Sequence, residues 1–485
     1  MNRREFLALP GVAAVAAPRP LRHPASQAAQ APEDDRLQAV TAVVRDAMAR
    51  YHVPGVALGL WANGRQHLRG FGVTSLDDPR PITADTLFTI ASISKTMTAT
   101  AVLKLVEMGK LELHTPVHEL LPAFRVRDDA ATAQVTPWHL LTHTPGWEGQ
   151  LTTEDRGAEA LAHFVAAIMP TLPQLAAPGQ AWSYNNAGFA LSGRLIEAVT
   201  GQGIHDALRD LVFAPLGLPR TFTRLTDVLT HPVTLGHRER DGRTEVIRPF
   251  QTTSSTTAGG VLTSVTDLMR YARFHLGDGR IEDGGQYLQR PRLAQMQQAQ
   301  VPKHGTDDEM GLGWHVRRLG DVTTLAHGGT LNGHCLLVQL VPARNLAFTV
   351  LTNHVDGWRL VQDVERAVLQ RYAGLALAPG QRIGHRGVNE AMSFHAMPLG
   401  TQPPLAEYVG TFARPPVGEV TVRRDGARLI VATGGGQPDA AVTFYGPDVA
   451  YAVSGVYTGL PVEFVRDGRG AVRWVRVNGR IARRT

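Results

Sequence analysis

The sequence predicts an α+β fold, in which helices pack on an antiparallel sheet and a small all-β domain follows. Three observations predict it. Residues 34–51 carry apolar side chains at helical spacing and precede Asn63-Gly64, a strong hairpin signal between two apolar runs. Residues 322–351 contain short apolar runs joined by turns, which is typical of antiparallel strands. In residues 405–485, strand-like runs alternate with Asp-Gly and Asn-Gly turns.

These patterns divide the chain of 485 residues into four segments: a leader at 1–31, a main domain at 32–375, a linker at 376–404 and a C-terminal domain at 405–485. The linker contains Pro, Gly and His without a sustained apolar period. The last segment has roughly 80 residues, a size at which a barrel or a sandwich can fold independently.

The leader has the features of an export signal. Arg3-Arg4 precedes Phe6-Leu7, and the apolar run at 7–17 is too short to span a bilayer. This arrangement resembles a twin-arginine signal, with small-residue cleavage positions near Ala16 or Ala31. A disordered basic tail is the alternative. We therefore expect export to the periplasm or the cell exterior.

Composition excludes several functional classes. The net charge of +6 falls to about +3 without the leader, because that segment holds four arginines and one glutamate. Neither a lysine-rich block nor zinc-finger spacing is present, so no nucleic-acid partner is expected. No later run reaches about 18 apolar residues, so no membrane span is expected after signal removal. The single cysteine, Cys335, excludes an internal disulfide. The oligomeric state is left open.

Ser92 and Lys95 form the first candidate catalytic pair. They lie at the start of a helix whose apolar residues recur at Met97, Ala101 and Leu105. Residues three apart share a helix face, with Cβ atoms about 5–6 Å from each other. A lysine can take the serine proton if burial or nearby cations lower its pKa. The alternative is a serine that caps an ordinary buried helix.

The choice of lysine at position 95 is informative. The chain has 49 basic residues, and the lysines are Lys95, Lys104, Lys110 and Lys303. Arginine supplies the positive charge elsewhere, and it cannot act as a base. Ser92 is the only serine that begins a Ser-x-x-Lys pattern. Because the helix starts near this serine, its unpaired N–H groups can also stabilise an oxyanion.

Tyr184 and Asn186 form the second candidate pair. They lie in a loop between Pro178-Gly179 and a predicted helix. A tyrosine beside a protonated lysine forms its phenolate more easily and can act as a general base. The Asn186 amide can donate a hydrogen bond to a substrate carbonyl. A surface loop rich in Ser and Asn is the alternative interpretation.

The third candidate is the His-Gly-Gly-Thr stretch at residues 327–330, between two strand-like runs. We expect it at the edge of the antiparallel sheet. Its glycines allow backbone N–H groups to approach a ligand closely. His327 could face the cleft as a positive or hydrogen-bonding group. The pattern is weak by itself, because His385-Arg386-Gly387 matches it too.

Two other pairs suggest different chemistry. His139 and His143 have the i, i+4 spacing of a metal pair, but no third ligand falls at a useful spacing. Structural histidines are therefore favoured, and no metal or cofactor is predicted. Cys335 beside His334 suggests a thiol nucleophile, but adjacent strand residues point to opposite faces. A small buried core residue is favoured for Cys335.

In this order, Ser-x-x-Lys, Tyr-x-Asn and His-x-Gly resemble the motifs of the serine β-lactamase and penicillin-binding-protein superfamily. The branch that the chain resembles contains class C β-lactamases, D-alanyl-D-alanine peptidases and related esterases. Residues 140–146 and 258–260 also fit this branch, and the resemblance covers about residues 36–375. It implies an all-helical lobe beside the sheet. The tail from residue 408 is similar to lipocalin-like C-terminal modules.

The resemblance implies a role for each candidate. The implied catalytic residues are Ser92, Lys95 and Tyr184, and the implied substrate-binding residues are Asn186, His327, Gly329 and Thr330. Ser92 attacks a carbonyl and becomes acylated, while Lys95 and Tyr184 share the proton transfers. Asn186 positions the substrate. The backbone N–H groups of Ser92 and Thr330 form the oxyanion hole.

His327 departs from the family pattern, because many relatives have lysine there. An imidazole is mostly neutral near pH 7 at its usual pKa, and Gly328 has no hydroxyl, so the grip on a substrate carboxylate should be weaker. We expect an esterase or D-amino-acid peptidase that acts on a small ester, an amide or a peptidoglycan-like substrate. A class C-like β-lactamase and a non-catalytic sensor of cell-wall fragments are the alternatives. A metallohydrolase ranks below both.

Overall fold

The computed structural model describes residues 35–150, 157–249, 252–303, 308–378, 383, 399–434, 438–454 and 458–485. The predicted leader and most of the predicted linker lie outside the described residues. Among those that are described, no helix combines the length and the apolar character that crossing a membrane requires.

Helices are distributed along the whole first domain. They are α1 (Asp35–Arg50), α2 (Ser94–Glu107), α3 (Val117–Leu120), α4 (Asp129–Gln134), α5 (Pro137–Leu141), α6 (Ala160–His163), α7 (Asn186–Thr200), α8 (Ile204–Leu208), α9 (Thr256–Gly259), α10 (Val265–Leu276), α11 (Arg290–Gln297) and α12 (Gly357–Tyr372).

The strands of this domain are β1 (Gly55–Ala62), β2 (Arg65–Gly72), β3 (Leu87–Thr89), β4 (Thr221–Phe222), β5 (Gly236–Arg240), β6 (Arg243–Ile247), β7 (Leu262–Ser264), β8 (Val301–Pro302), β9 (Asp308–Met310), β10 (His315–Leu319), β11 (Val322–Leu331), β12 (His334–Val341) and β13 (Leu346–Thr352). Eight of them form one antiparallel sheet in the order β2-β1-β13-β12-β11-β10-β9-β8. Two smaller sheets are present in the described residues, the two-stranded β5-β6 and the three-stranded β3-β7-β4.

The large sheet is covered on both faces, which confirms the predicted α+β class. Every residue of β12 is buried, and its side chains alternate between two cores. Leu336 and Val338 share a core with residues of α2, α7 and α10, of which α2 and α7 belong to the helical lobe, whereas Leu337 packs with α1 and α12. This two-sided burial explains why β12 is almost continuously apolar in sequence.

The predicted hairpin at Asn63-Gly64 is confirmed. β1 and β2 pair across it up to Ala62 and Arg65, and both turn residues have positive φ angles, 52° and 74°. The predicted edge position of the His-Gly-Gly-Thr stretch holds for the stretch itself but not for the whole strand. β11 is an interior strand, but β10 pairs with it only as far as Ala326. Among the described residues, its last residues therefore pair with β12 on one side and with no strand on the other.

The C-terminal domain is a closed antiparallel barrel of eight strands: β14 (Gly410–Arg414), β15 (Gly418–Asp425), β16 (Arg428–Ala432), β17 (Ala440–Gly446), β18 (Val449–Ala452), β19 (Pro461–Arg466), β20 (Val472–Val477) and β21 (Arg480–Arg484). The barrel is consistent with the predicted lipocalin-like module. Aromatic side chains fill its interior: the Tyr408 ring lies 4.7 Å from Phe444 and 4.6 Å from Phe464.

The barrel is attached to the segment of the first domain that leads into α7. Arg476 is fully buried, pairs with Glu463 at 2.7 Å, and donates to the backbone oxygens of Trp182 and Lys303, both at 3.1 Å. Trp474 Nε1 donates to the Leu175 oxygen at 2.8 Å. Strands β20 and β21 of the barrel are therefore fixed against the loop that carries Tyr184.

Gly329 allows β11 to lie directly against the segment before Ser92. A Cβ atom at this position would lie 2.6 Å from the Ile90 oxygen and 3.0 Å from Ala91 Cβ. Both neighbours are buried backbone or core groups, so the strain cannot be relieved by moving a flexible side chain.

Replacing Gly329 by alanine should therefore destabilise the protein by about 1–3 kcal/mol, as overpacked cores do. Thermal unfolding followed by circular dichroism measures the effect as a lower Tm. Gly468→Ala is the matched control, because a Cβ atom there meets nothing within 4 Å. Equal Tm values for the two variants would show that β11 and the Ser92 segment are not in tight contact.

Candidate active site

Ser92 lies in a short 3-10 turn, Ala91–Ile93, that runs directly into α2. The α-helix itself thus begins two residues later than the sequence suggested. Ala91 has a φ of 47°, a left-handed conformation that is unfavourable for alanine. Ser94 Oγ donates to the Ala91 oxygen at 2.6 Å and Ile90 N donates to the Val261 oxygen at 2.9 Å. These bonds hold the turn in place.

Lys95 is completely buried on the first turn of α2. Its Nζ lies 3.4 Å from Ser92 Oγ and donates to the Ala258 oxygen at 2.5 Å. The Nζ atom also faces the ring of Tyr184, 4.8 Å from the centroid, and that of Phe189 at 5.5 Å. Within the described part of the chain, no acidic side chain pairs with this amine.

Its surroundings lower the pKa of Lys95 well below its usual value. Burial is the largest cause, and the positive charge of Arg480 is the second. These are the two conditions under which a lysine becomes a base. The neutral amine can keep its bond to the Ala258 oxygen and still accept the Ser92 proton.

Tyr184 is buried beside this pair, in the loop before α7. Its backbone N–H donates to the Gly479 oxygen of the barrel at 2.8 Å. Its ring stacks on the imidazole of His143, with the centroids 4.5 Å apart. The structure therefore brings Ser92, Lys95 and Tyr184 together, as the sequence motifs suggested.

The two asparagines after Tyr184 have different surroundings. Asn185 is fully buried and caps α7: its Oδ1 accepts from Gly188 N at 2.8 Å and its Nδ2 donates to the Trp147 oxygen at 2.9 Å. Asn186 is the first residue of α7 and is half-buried. It belongs to the helix and not to the loop, and its side chain is the less enclosed of the two.

The end of β11 presents backbone groups beside the Ser92 turn. Leu331 and His334 flank the two-residue turn Asn332-Gly333, so Thr330 and Cys335 form the next, non-hydrogen-bonded pair. The Thr330 N–H therefore points away from β12, to the side that β10 leaves open. The Thr330 hydroxyl is occupied elsewhere, because it accepts from Trp358 Nε1 at 2.7 Å.

His327 is almost fully buried, with 1% of its surface exposed, and its ring lies 6.4 Å from that of Tyr184. Its Nδ1 lies 2.7 Å from the Gly328 oxygen and donates to it. Burial, followed by the charge of Lys95, lowers the pKa of His327 to about 3. Of the two forms considered from the sequence, the neutral one is favoured, so His327 is not a cation that could hold a carboxylate.

Arg480 is a site residue that sequence reasoning missed. It follows the Asn478-Gly479 turn of the barrel, and its guanidinium lies 5.7 Å from the Tyr184 ring centroid. Within the described residues it has no ion pair, and its buried Nε has no hydrogen-bond partner. Of the acidic groups, Glu148 has the largest electrostatic effect on the pKa of Arg480. The hairpin turn was visible in the sequence, but its position over the site was not.

Comparison with known proteins identifies the family. A family model described as Beta-lactamase matches residues 40–372. Penicillin-binding protein 4 of Amycolatopsis lactamdurans is 34% identical over 335 residues, which cover 67% of this chain and 88% of that protein. The chain belongs to the beta-lactamase family.

Solved structures extend the similarity to the barrel. A structure described as SurE is 27% identical with a TM-score of 0.77, and it covers 93% of this chain and 99% of its own. SurE with D-Leu gives 26% identity and a TM-score of 0.74, over 93% and 100% of the two chains. A class C beta-lactamase from Rhodobacter sphaeroides shares the fold, at 22% identity and a TM-score of 0.57, over 68% of this chain and 99% of its own.

The alternative sites considered from the sequence do not form in this beta-lactamase-family protein. No group of three His, Cys, Asp or Glu side chains in the described ranges could hold a metal ion. His139 instead accepts from Thr136 N at 3.2 Å in a helix-capping arrangement. Cys335 is buried, and burial raises the pKa of its thiol to about 12, which confirms it as a core residue and excludes a thiolate near pH 7.

Arg480 should set the pH at which Ser92 becomes reactive. Its charge lowers the pKa of Lys95, so Arg480→Gln should raise that pKa. The base is the deprotonated amine, so the rate of Ser92 modification rises with pH, and in the variant the rise should move to higher pH. The rate of fluorophosphonate labelling, followed from about pH 5 to about pH 10, measures this shift. That range includes the pKa values to which catalytic bases are tuned. Arg483→Gln, an exposed arginine on the same strand, is the control. Coincident profiles for the two variants would contradict the role of Arg480.

Proposed function

We propose that this protein is a serine hydrolase that forms an acyl-enzyme on Ser92 and acts on an ester or a peptide-like amide. The observation that carries the proposal is the buried Lys95 amine, 3.4 Å from Ser92 Oγ and without an acidic partner among the described residues. A purely structural lysine would be expected to keep its charge through an ion pair or contact with solvent.

The chemistry runs in two half-reactions. Ser92 Oγ attacks the substrate carbonyl carbon while its proton passes to Lys95, with Tyr184 beside the amine to deliver that proton to the leaving group. The oxyanion accepts hydrogen bonds from the N–H groups of Ser92 and Thr330. Water then attacks the acyl carbon and gives a proton to the same base, and the Ser92 oxygen recovers a proton as the acid product leaves. Asn186 holds the substrate at the mouth of the site.

The charges around the site support a ranking of substrates. His327 is neutral where many relatives have lysine, so a β-lactam carboxylate would find no cation on β11. Arg480 is a cation carried by the barrel, with its guanidinium 5.7 Å from the Tyr184 ring centroid. We infer that a substrate carboxylate, if present, is bound by Arg480, and that β-lactams are poor substrates.

The relatives support a D-amino-acid or peptidoglycan-like substrate. One similar structure contains SurE with D-Leu, and the similarity to it includes most of the present chain. The curated relative at 34% identity is a penicillin-binding protein. We infer that the acyl or leaving group contains a D-amino acid. The Arg3-Arg4 leader supports export, by the twin-arginine route, to the compartment where cell-wall fragments occur.

A fluorophosphonate probe followed by peptide mass mapping tests the proposal directly. The wild type should carry the adduct on Ser92, and Ser92→Ala should carry none there. In cell fractions, the labelled exported form should lack the leader and lie outside the cytoplasm. A folded wild type without a Ser92 adduct would contradict the hydrolase and favour a cell-wall sensor.

The same preparation should hydrolyse short p-nitrophenyl esters faster than a chromogenic cephalosporin. Two esters that differ only in a free carboxylate test the role of Arg480 in substrate binding. Arg480→Gln should lower kcat/KM for the carboxylated ester at least tenfold more than for the neutral ester. Arg483→Gln is the control. Efficient cephalosporin turnover would make the β-lactamase alternative the correct one.

A further inference from the structure

His143 contacts Tyr184 through its ring and through both neighbours of Tyr184 in the chain. The Ser183 N–H donates to the His143 oxygen at 3.0 Å. The Asn185 N–H donates to His143 Nδ1 at 2.9 Å. The imidazole stacks on the Tyr184 phenol, with the ring centroids 4.5 Å apart and the planes 30° from parallel. One residue therefore fixes both the backbone and the ring of the tyrosine.

The backbone of His143 has an uncommon conformation. Its φ is 60°, in the left-handed region that few residues other than Gly enter, although His, like Asn and Asp, does so more often than most. The residue is fully buried at the turn after α5, so surrounding contacts must hold it there.

The contacts also define the chemical state of the imidazole. Nδ1 accepts the Asn185 N–H, so the single ring proton is on Nε2. Burial lowers the pKa of His143 well below its usual value. The ring is therefore neutral while the site works, and it adds no charge beside Lys95.

We propose that His143 is the positioning residue for Tyr184, and that it holds the phenol against the Lys95 amine in the orientation that proton transfer needs. This rests on the proposed function, in which Tyr184 shares the proton traffic with Lys95. Among the described residues, the side chain of His143 contacts the Tyr184 segment and neighbouring rings and forms no hydrogen bond or ring contact with Ser92, so we infer that it acts through the tyrosine. The N–H of Tyr184 itself donates to the Gly479 oxygen of the barrel, whereas the stacked ring contact comes from His143.

Two variants separate the contacts. His143→Asn keeps an acceptor near the position of Nδ1 and tolerates a positive φ, but it removes the ring. His143→Phe keeps a ring for stacking but leaves the buried Asn185 N–H without its acceptor. His139→Asn, in the same segment but outside the Tyr184 contacts, is the matched control.

The kinetic readout is kcat per active site, counted by Ser92 labelling, together with the pH profile of kcat/KM. Both His143 variants should lose at least tenfold in kcat, because general acid–base catalysis contributes about 10²–10⁴-fold to the rate. Their KM should stay within about twofold of the wild-type value. The acid limb of the pH profile should also move. His143→Asn should retain more activity than His143→Phe. The control should behave like the wild type. Circular dichroism establishes folding, and His143→Asn carries the test if His143→Phe does not fold.

A second readout does not depend on turnover. In protein labelled with 3-fluorotyrosine, the ¹⁹F resonance assigned by Tyr184→Phe should move in both variants and stay in place in the control. If the wild type hydrolyses no ester and the resonance still moves, the proposed function fails while the placement of Tyr184 by His143 stands. Unchanged kcat per site and an unchanged resonance in folded His143→Asn would overturn the positioning role, as would a shifted resonance with wild-type kcat.

Discussion

The proposed transfer of a proton from the Ser92 hydroxyl to the Lys95 amine depends on an amine that is withdrawn from water and has no acidic partner among the described residues. A carboxylate in that place would hold the lysine as an ammonium and leave Ser92 without a base. The structure instead surrounds Lys95 with apolar residues of the helical lobe, the Ala258 oxygen and two aromatic rings. The left-handed Ala91 lies in the turn that carries Ser92, and the absence of a side chain at Gly329 lets β11 pack directly against that turn.

The barrel contributes to this electrostatic balance and not only to the size of the molecule. Its buried Arg476–Glu463 pair anchors β20 to the segment before Tyr184. The following turn supplies the backbone acceptor for Tyr184 and the guanidinium of Arg480. A change in how the barrel docks would therefore alter the pKa of Lys95 and the position of Tyr184 together, so the two domains act as one catalytic unit in the proposed mechanism.

Local patterns predicted the parts of the fold that depend on neighbouring residues in the chain. The Asn63-Gly64 hairpin, the α1 periodicity and the Ser92–Lys95 spacing each follow from interactions over a few residues. The interior position of β11 did not, because strand order depends on pairings made far apart in sequence. Arg480 was missed for the same reason: nothing near it indicates that its turn lies over Tyr184. His327 was found, but its neutral state depends on burial that only the folded structure supplies.

The central claim is that Lys95 is an uncharged amine in the folded protein at working pH. The chain has only four lysines, so NMR of protein with ¹³Cε- and ¹⁵Nζ-labelled lysine can follow each of them through a pH titration. The resonance missing from Lys95→Arg is that of Lys95. It should titrate far below the usual lysine value of about 10.4. A Lys95 titration near 10.4 in the folded protein would contradict the account.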